Sequence, residues 1–306
     1  MENQAAENLR RAVYQATSAA VTTADTGLGT TYERWALNRL LSRLKAETGL
    51  ESLVEGPGDG MTGIAGLNSL ILGLQSVSVR LILPDPEQAA FARMVWAHHA
   101  PMARFEIIEA RQNTPGRAAG GRYARLPLPD ATVDLAWNFN VMARQSHPQE
   151  VLSELARISR KYVLVCVPNR HHYAFGLHRL HHRVARQPWD HGRVELMQPQ
   201  PWERMFAGLG LRVQEIIWLD CPWWPDIVDF GQLIADFIPP LRGFAGRARP
   251  ENRLRWEAQA LPYYRPEDYP EVNRQMSRLA FFENSRLAWL KQRFAHHVGI
   301  LGYKTE

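Results

Sequence analysis

The chain alternates short apolar segments with helical patterns, and this alternation constrains its fold more than any other feature. Apolar segments bounded by turn residues indicate strands, and 3.6-residue periodicity between them indicates helices. The predicted strands are 51–55, 79–84, 104–110, 132–138 and 162–168, and the predicted helices between them are 61–75, 86–99 and 148–160. Pro86 directly after Asp85 marks one helix start. The pattern predicts an α/β, Rossmann-like, mostly parallel sheet with helices on both faces.

Two further segments flank the predicted core, which spans 51–220. Residues 1–50 are predicted to be an N-terminal helical segment that covers the core as a lid, and Thr30 and Glu33 have the spacing of a capping box at the start of one helix. Residues 221–298 are rich in Trp, Pro and Arg, and they are predicted to be a helical cap insertion with a long helix from about 270 to 295. A final strand of the core is expected at 299–306.

A glycine-rich turn, E-G-P-G-D-G at 55–60, follows the first predicted strand. Glycines let a ligand approach bare main chain, and the helix start beyond them offers unpaired N–H groups. Gly58, Gly60 and Gly63 match a dinucleotide-binding spacing, with Asp85 as the acid 22 residues after Gly63. Glu55 before the first glycine fits a second template, because a carboxylate suits a cationic or amino group and repels a pyrophosphate.

The turn and a later segment together resemble class I S-adenosylmethionine-dependent methyltransferases, particularly the type 11 group. In that group a Leu-Pro-x-x-Asp turn leads to a strand, a short helix with a Leu-x-Glu-x-x-Arg phrase, and a strand that ends in Pro-Asn. The matching residues here are Leu126, Pro127, Pro129, Asp130, Val133, Asp134, Leu152, Glu154, Arg157, Pro168 and Asn169. The resemblance covers roughly 51–220, and the closing HHVGILGYK resembles the family's last strand.

The resemblance implies an enzyme with S-adenosyl-L-methionine as cofactor and assigns six residues to its binding. The glycine turn would line the methionine part, an acid after the second strand would bind the ribose, and an asparagine after the fourth strand would lie beside the cofactor and the substrate entrance. These residues are Glu55, Gly56, Gly58 and Gly60 for methionine, Asp85 for ribose, and Asn138. The chain departs from the family at Arg122, where an acid near the adenine is common, and in the long stretch between Gly60 and Asp85.

Candidates for acceptor binding or proton removal lie after the fourth and fifth predicted strands, since ligands of open parallel sheets bind at strand carboxyl ends. They are His172, Tyr173, His178 and Asn140. His178 and His182 share a helix face, which suits a metal pair. The H-E-x-x-H pattern is absent, however, and no metal is predicted.

The sequence therefore predicts methyl transfer to a small-molecule or lipid-like acceptor. Two alternatives stay open: an NAD(P)-dependent oxidoreductase, and a non-catalytic partner subunit with a cofactor-binding fold. The net charge of +5 is diffuse, without a basic run of five or more residues, so nucleic acid is disfavoured as a partner, while peripheral membrane contact stays possible. No apolar run suits a signal peptide or a membrane span, and a cytoplasmic location is expected.

Overall fold

The computed structural model describes residues 28–58, 65–109, 125–184, 186, 188–224 and 260–305. The strands are β1 (Ser52–Glu55), β2 (Ser78–Leu83), β3 (Phe105–Glu109), β4 (Val133–Phe139), β5 (Ser159–Pro168), β6 (Leu211–Leu219) and β7 (His297–Lys304). The α-helices are α1 (Leu28–Thr48), α2 (Leu70–Leu74), α3 (Pro86–His99), α4 (Pro148–Ile158), α5 (Phe175–Val184), α6 (Pro199–Gly208), α7 (Pro270–Leu279) and α8 (Ala288–Phe294). Short 3₁₀ turns lie at Met142–Arg144, Val194–Leu196 and Pro262–Tyr264.

The strands form one seven-stranded sheet in the order β3-β2-β1-β4-β5-β7-β6. β1 to β5 pair in parallel, and β7 runs antiparallel to both β5 and β6. From β1 the chain adds β2 and then β3 toward one edge of the sheet. From β4 onward it adds the remaining strands toward the opposite edge. The strand order therefore reverses between β1 and β4, which is the topological switch point where open α/β sheets bind ligands.

Each face of the sheet buries its own hydrophobic core, because successive strand residues point to opposite faces. On β5, Leu164 packs in the core that contains α1 and α3, while Val163 packs in the core that contains α4 and α6. Trp96 of α3 and Trp202 of α6 are fully buried, one in each core. The predicted α/β Rossmann-like sheet with helices on both faces is confirmed.

The N-terminal helix differs from its prediction at the start. α1 is already helical at Leu28, so Thr30 and Glu33 lie inside the helix instead of forming its cap. The helix ends at Thr48, and Gly49 after it adopts a left-handed φ of 63° and donates its N–H to Lys45 O. The apolar side chains of Leu37 and Leu41 on this helix are fully buried in the core. Glu33 is thereby left to make contacts outside the helix.

The predicted helix 61–75 is wrong in extent. Within its described part, residues 65–69 form turns and helix is found only at Leu70–Leu74. Gly66 has a φ of 80°, a left-handed conformation that a helix does not contain. Ser69 also donates its backbone N–H to the Glu55 carboxylate. The turn therefore donates a hydrogen bond to the side chain at the carboxyl end of β1.

The predicted long helix 270–295 is two helices, α7 and α8. Between them, Ser285 Oγ accepts a hydrogen bond from Leu287 N at 3.1 Å, which is a local side-chain bond that competes with helix. Phe282 then stacks on Phe294 with ring centroids 3.7 Å apart. This contact joins the break to the end of α8. In the described ranges, no helix has the length and apolar character needed to cross a bilayer.

Candidate active site

The carboxylate of Glu55 stands at the carboxyl end of β1, beside the switch point, and is almost fully buried. Its Oε1 accepts from Asn68 Nδ2 at 2.7 Å, and its Oε2 accepts from Ser69 N at 3.1 Å and from Ser69 Oγ at 2.6 Å. Asn68 Oδ1 in turn accepts from the buried guanidinium of Arg34 on α1. Burial raises the pKa of Glu55, although Ser69, Asn68 and the charge of Arg34 oppose that rise.

The glycine turn after Glu55 packs closely on β2. Gly58 donates its N–H to Ile82 O at 3.0 Å, and Gly56 donates to Trp137 O of β4 at 3.0 Å. A Cβ on Gly56 would lie 2.6 Å from Ile82 Cβ, so only glycine fits there. The sequence analysis assigned these glycines to the approach of a ligand, which stays a prediction, and at Gly56 the neighbouring strand by itself already requires a glycine. Gly60, like Gly63, lies outside the described residues.

Asp85 begins α3 as its N-cap. Its Oδ1 accepts from Glu87 N at 2.8 Å and from Gln88 N at 3.4 Å. Both bonds use the same carboxylate oxygen, and Oδ2 takes part in neither. Asp85 follows β2 at the edge of the sheet that also carries Glu55, so its second oxygen is compatible with the ribose role that stays a prediction.

Two asparagines end β4 on the other side of the switch point. Asn138 donates from Nδ2 to Pro57 O at 2.6 Å and accepts from Val141 N, so its side chain ties the glycine turn to β4. Asn140 is 1% exposed and has a left-handed φ of 59°. Among the described residues, its Oδ1 has no hydrogen-bond partner. A buried acceptor of this kind is unfavourable unless a ligand or a water donates to it.

Asn140 opens into a cavity of about 210 Å³ at the carboxyl ends of β4 and β5. Residues from α1, the β5–α5 turn, the loop after α5 and the start of β7 line it. They are Glu33, Asn140, Pro168, Asn169, His172, Ala174, Phe175, His178, Trp189, His191, Met197, His296 and His297. The cavity thus brings together three of the four predicted catalytic candidates: Asn140, His172 and His178.

The fourth candidate, Tyr173, does not line this cavity. It is 43% exposed, and its hydroxyl donates to Trp223 O at 2.9 Å. Burial of part of the ring raises the pKa of Tyr173. Its ring also packs on His172, with centroids 4.4 Å apart, so Tyr173 supports a lining residue from behind.

A carboxylate–histidine cluster at the start of β7 was not predicted. His297 Nε2 lies 2.9 Å from Glu33 Oε2, and His296 Nδ1 lies 2.9 Å from Asp220 Oδ2. Burial raises the pKa of Asp220, the two histidines lower it, and Glu33 raises it further. The sequence signals were a pair of histidines before the last strand and an acid directly after β6.

No model of a known protein family matches the chain, and no curated protein matches it. Solved structures do share its fold. Magnesium protoporphyrin IX methyltransferase from Synechocystis PCC 6803, with bound SAH, is 9% identical over 90% of this chain and 85% of its own, with a TM-score of 0.49. A SAM-dependent methyltransferase from Aquifex aeolicus is 17% identical over 66% of this chain and 93% of its own, with a TM-score of 0.44.

The cyclase SpnF is also similar, at 13% identity over 87% of this chain and 80% of its own, with a TM-score of 0.43. These likenesses concern the fold. Because one fold hosts different reactions, the activity of this chain is argued from its site.

Proposed function

We propose that the chain is an S-adenosylmethionine-dependent methyltransferase that acts on a small-molecule or lipid-like acceptor. The observation that carries the proposal is the place of the glycine turn with its preceding carboxylate. Glu55 and Gly56 lie at the switch point of the sheet, where a hydrogen bond from Asn138 joins the turn to β4. The motif that resembles the methyltransferase family thus occupies the ligand-binding edge of the fold.

The described residues fit such a cofactor at two points. Asp85 offers Oδ2 at the carboxyl end of β2, since Oδ1 takes both capping bonds. Asn140 offers a buried Oδ1 to which no described residue of the chain donates. Glu55 fits a positioning role better than direct contact, because its carboxylate already accepts three hydrogen bonds from Asn68 and Ser69.

When bound, the cofactor supplies an electrophilic methyl group on a sulfonium. The chain has to orient the acceptor, exclude water and accept a proton where the nucleophile carries one. His172 Nδ1 accepts a hydrogen bond from Ala174 N at 3.2 Å, so the neutral ring carries its proton on Nε2. This Nε2–H suits the donation of a hydrogen bond to the molecule that receives the methyl group. The pair of Glu33 and His297 lines the same cavity and is the better candidate for proton acceptance.

The cavity supports an acceptor of small size or a small reactive part of a larger molecule. Phe175, Trp189 and Met197 give it apolar walls beside the polar asparagine and histidines. On α5, Leu177, Leu180 and Val184 are 38%, 45% and 47% exposed. An exposed apolar stripe with arginines beside it favours contact with a lipid surface, which supports the lipid-like alternative.

Cofactor retention separates this proposal from its rivals. Purified protein is incubated with tritiated-methyl S-adenosylmethionine and, separately, with NADH, and bound label and NADH fluorescence are measured. We expect retention of the methyl donor, competition by S-adenosylhomocysteine and no NADH binding. Tight NADH binding without methyl-donor retention would establish the oxidoreductase alternative, and binding of neither would favour the non-catalytic one.

The matched variant for this assay is Asn140→Asp, which keeps the size and one acceptor oxygen of the side chain and adds a charge in the cavity. A changed affinity for the methyl donor in this variant supports binding at the carboxyl end of β4. Unchanged affinity for the methyl donor in a folded variant would show that the cofactor does not bind beside Asn140.

A further inference from the structure

Three histidines converge beside the cavity, although no metal was expected from the sequence. His178 and His182 lie one turn apart on α5, and His191 comes from the loop that follows. His182 Nε2 lies 3.2 Å from His178 Nε2 and 3.2 Å from His191 Nε2. One ligand nitrogen from each ring lies within 4.8 Å of the other two.

The spacing of these nitrogens matches a tetrahedral zinc site. Zinc–imidazole bonds of about 2.0–2.1 Å at tetrahedral angles place two ligand nitrogens about 3.3 Å apart. The two contacts at His182 are both 3.2 Å. The rings therefore need only small rotations to share one ion, and the backbone of α5 already holds two of them on one face.

A contact with a backbone carbonyl orients the ring of His182 for coordination. Its Nδ1 lies 3.0 Å from Pro188 O, and a carbonyl oxygen can only accept. Nδ1 must therefore carry the proton, which leaves the lone pair on Nε2, toward the other two rings. A backbone carbonyl on the far nitrogen is the usual support of a metal-binding imidazole.

Trp189 packs against all three rings, with centroid distances of 5.6 Å to His178, 5.2 Å to His182 and 4.8 Å to His191. Its Nε1 donates to Gly192 O at 2.7 Å, which fixes the loop that carries His191. An aromatic shell excludes water and strengthens metal–ligand interactions. Packing alone explains the stack of rings, but it does not require Nε2 of His178 and Nε2 of His191 both to contact Nε2 of His182.

The other metal-like cluster, Glu33, Asp220 and His297, fits an ion less well. Each member is engaged in a carboxylate–imidazole contact: His297 with Glu33, and Asp220 with His296, both at 2.9 Å. These contacts already use one oxygen of each carboxylate and one nitrogen of each imidazole. The histidine cluster offers three imidazole nitrogens, a ligand type that suits zinc and similar transition metals.

We infer that His178, His182 and His191 bind one divalent transition-metal ion, with zinc as the ion that the geometry suits best. His178 and His191 also line the cavity of the proposed active site. A three-histidine zinc site leaves one coordination position open. An oxygen, nitrogen or sulfur atom of the methyl acceptor can therefore coordinate the ion there. The site itself does not depend on the methyltransferase proposal. As a ligand, His178 is removed from the candidates for general base.

The test uses full-length protein without a polyhistidine tag, stripped of metal with a chelator. Zn²⁺ is titrated in competition with a chromophoric chelator, and Co²⁺ is added in parallel for its visible absorption. We expect one equivalent of Zn²⁺ and an intense tetrahedral Co²⁺ spectrum. His182→Ala and His191→Ala should each weaken Zn²⁺ binding at least about tenfold, because each removes one of three ligands.

His181→Ala is the matched control, since His181 directly precedes His182 on α5 and is not one of the three ligands. This variant should bind Zn²⁺ as the wild type does. Absence of a tight equivalent in the wild type, or equal affinity in all the variants, would overturn the inference. If His182→Ala fails to fold, as judged by circular dichroism, His191→Gln in the loop decides. Zinc binding without retention of the methyl donor would uphold the site and refute only the proposed function.

Discussion

Replacing Asp85 by asparagine separates its N-cap from its proposed contact with the ribose. Asp85 Oδ1 accepts both capping bonds, from Glu87 N and Gln88 N, and Oδ2 takes part in neither. Asparagine keeps an oxygen for the cap and is as good an N-cap as aspartate. It replaces the second oxygen by an amide NH₂, which cannot accept a ribose hydroxyl.

The expected effects follow from these bonds. Loss of a charge-assisted hydrogen bond costs about 1.5–3 kcal/mol. Since about 1.4 kcal/mol is a tenfold change in affinity, Asp85→Asn should weaken S-adenosylhomocysteine binding about 10- to 150-fold. The free energy of unfolding should change by less than about 0.5 kcal/mol, because both capping bonds survive.

Titration calorimetry with S-adenosylhomocysteine and urea unfolding measure the two effects on the same samples. Asp85→Ala is the companion variant: it should lose the same affinity and also about 1 kcal/mol of stability through loss of the cap. The reasoning is refuted if Asp85→Asn binds S-adenosylhomocysteine as tightly as the wild type does. Asp85 would then be an N-cap only.

Three further predictions concern stability, each measured by urea unfolding. Glu55→Ala leaves three buried donors without an acceptor and should cost about 3–5 kcal/mol, so a loss below about 1 kcal/mol would contradict the buried network. Gly302→Ala places a Cβ 2.4 Å from Phe206 Cδ1 and should cost about 1–3 kcal/mol, whereas Gly208→Ala, whose Cβ meets nothing within 4 Å, should change little. Burial raises the pKa of Asp134, but hydrogen bonds from backbone and side-chain donors outweigh it and hold the pKa below its usual range. The contribution of the Asp134 carboxylate to the free energy of unfolding is therefore complete above its unfolded pKa of about 3.9, and it is lost as pH falls through the lower folded pKa. The stability difference between wild type and Asp134→Asn should be constant from pH 7 to 5 and shrink below pH ~4.

The sheet was predictable because apolar strands and amphipathic helices report their periods directly in the sequence. Glu55, Asp85 and Asn138 were placed at the correct edge for the same reason, since each directly follows or ends a predicted strand. Their hydrogen-bond partners were not predictable. Asn68 and Ser69 reach Glu55 because Gly66 breaks the expected helix, and a single glycine in a helical pattern does not signal that break reliably.

Long-range contacts account for the rest of what the sequence could not supply. The spacing of Glu33 to Thr30 can be read from neighbouring residues, and it predicted a helix cap. The contact of Glu33 with His297 joins residues 264 positions apart, so no local pattern could reveal it. The sequence showed that His178 and His182 share a helix face. Only the turn carried by Trp189, however, brings His191 to the two histidines of α5, and no spacing rule encodes that turn.

The most direct test of the account is a crystal structure of the protein soaked with S-adenosylhomocysteine. Density is expected between the carboxyl ends of β1 and β4, against the turn of Gly56 and Gly58 and within hydrogen-bond distance of Asp85 Oδ2. Density at another place on the molecule, or a turn that stays closed to the compound at saturating concentration, would contradict the central claim that this edge of the sheet holds a methyl donor.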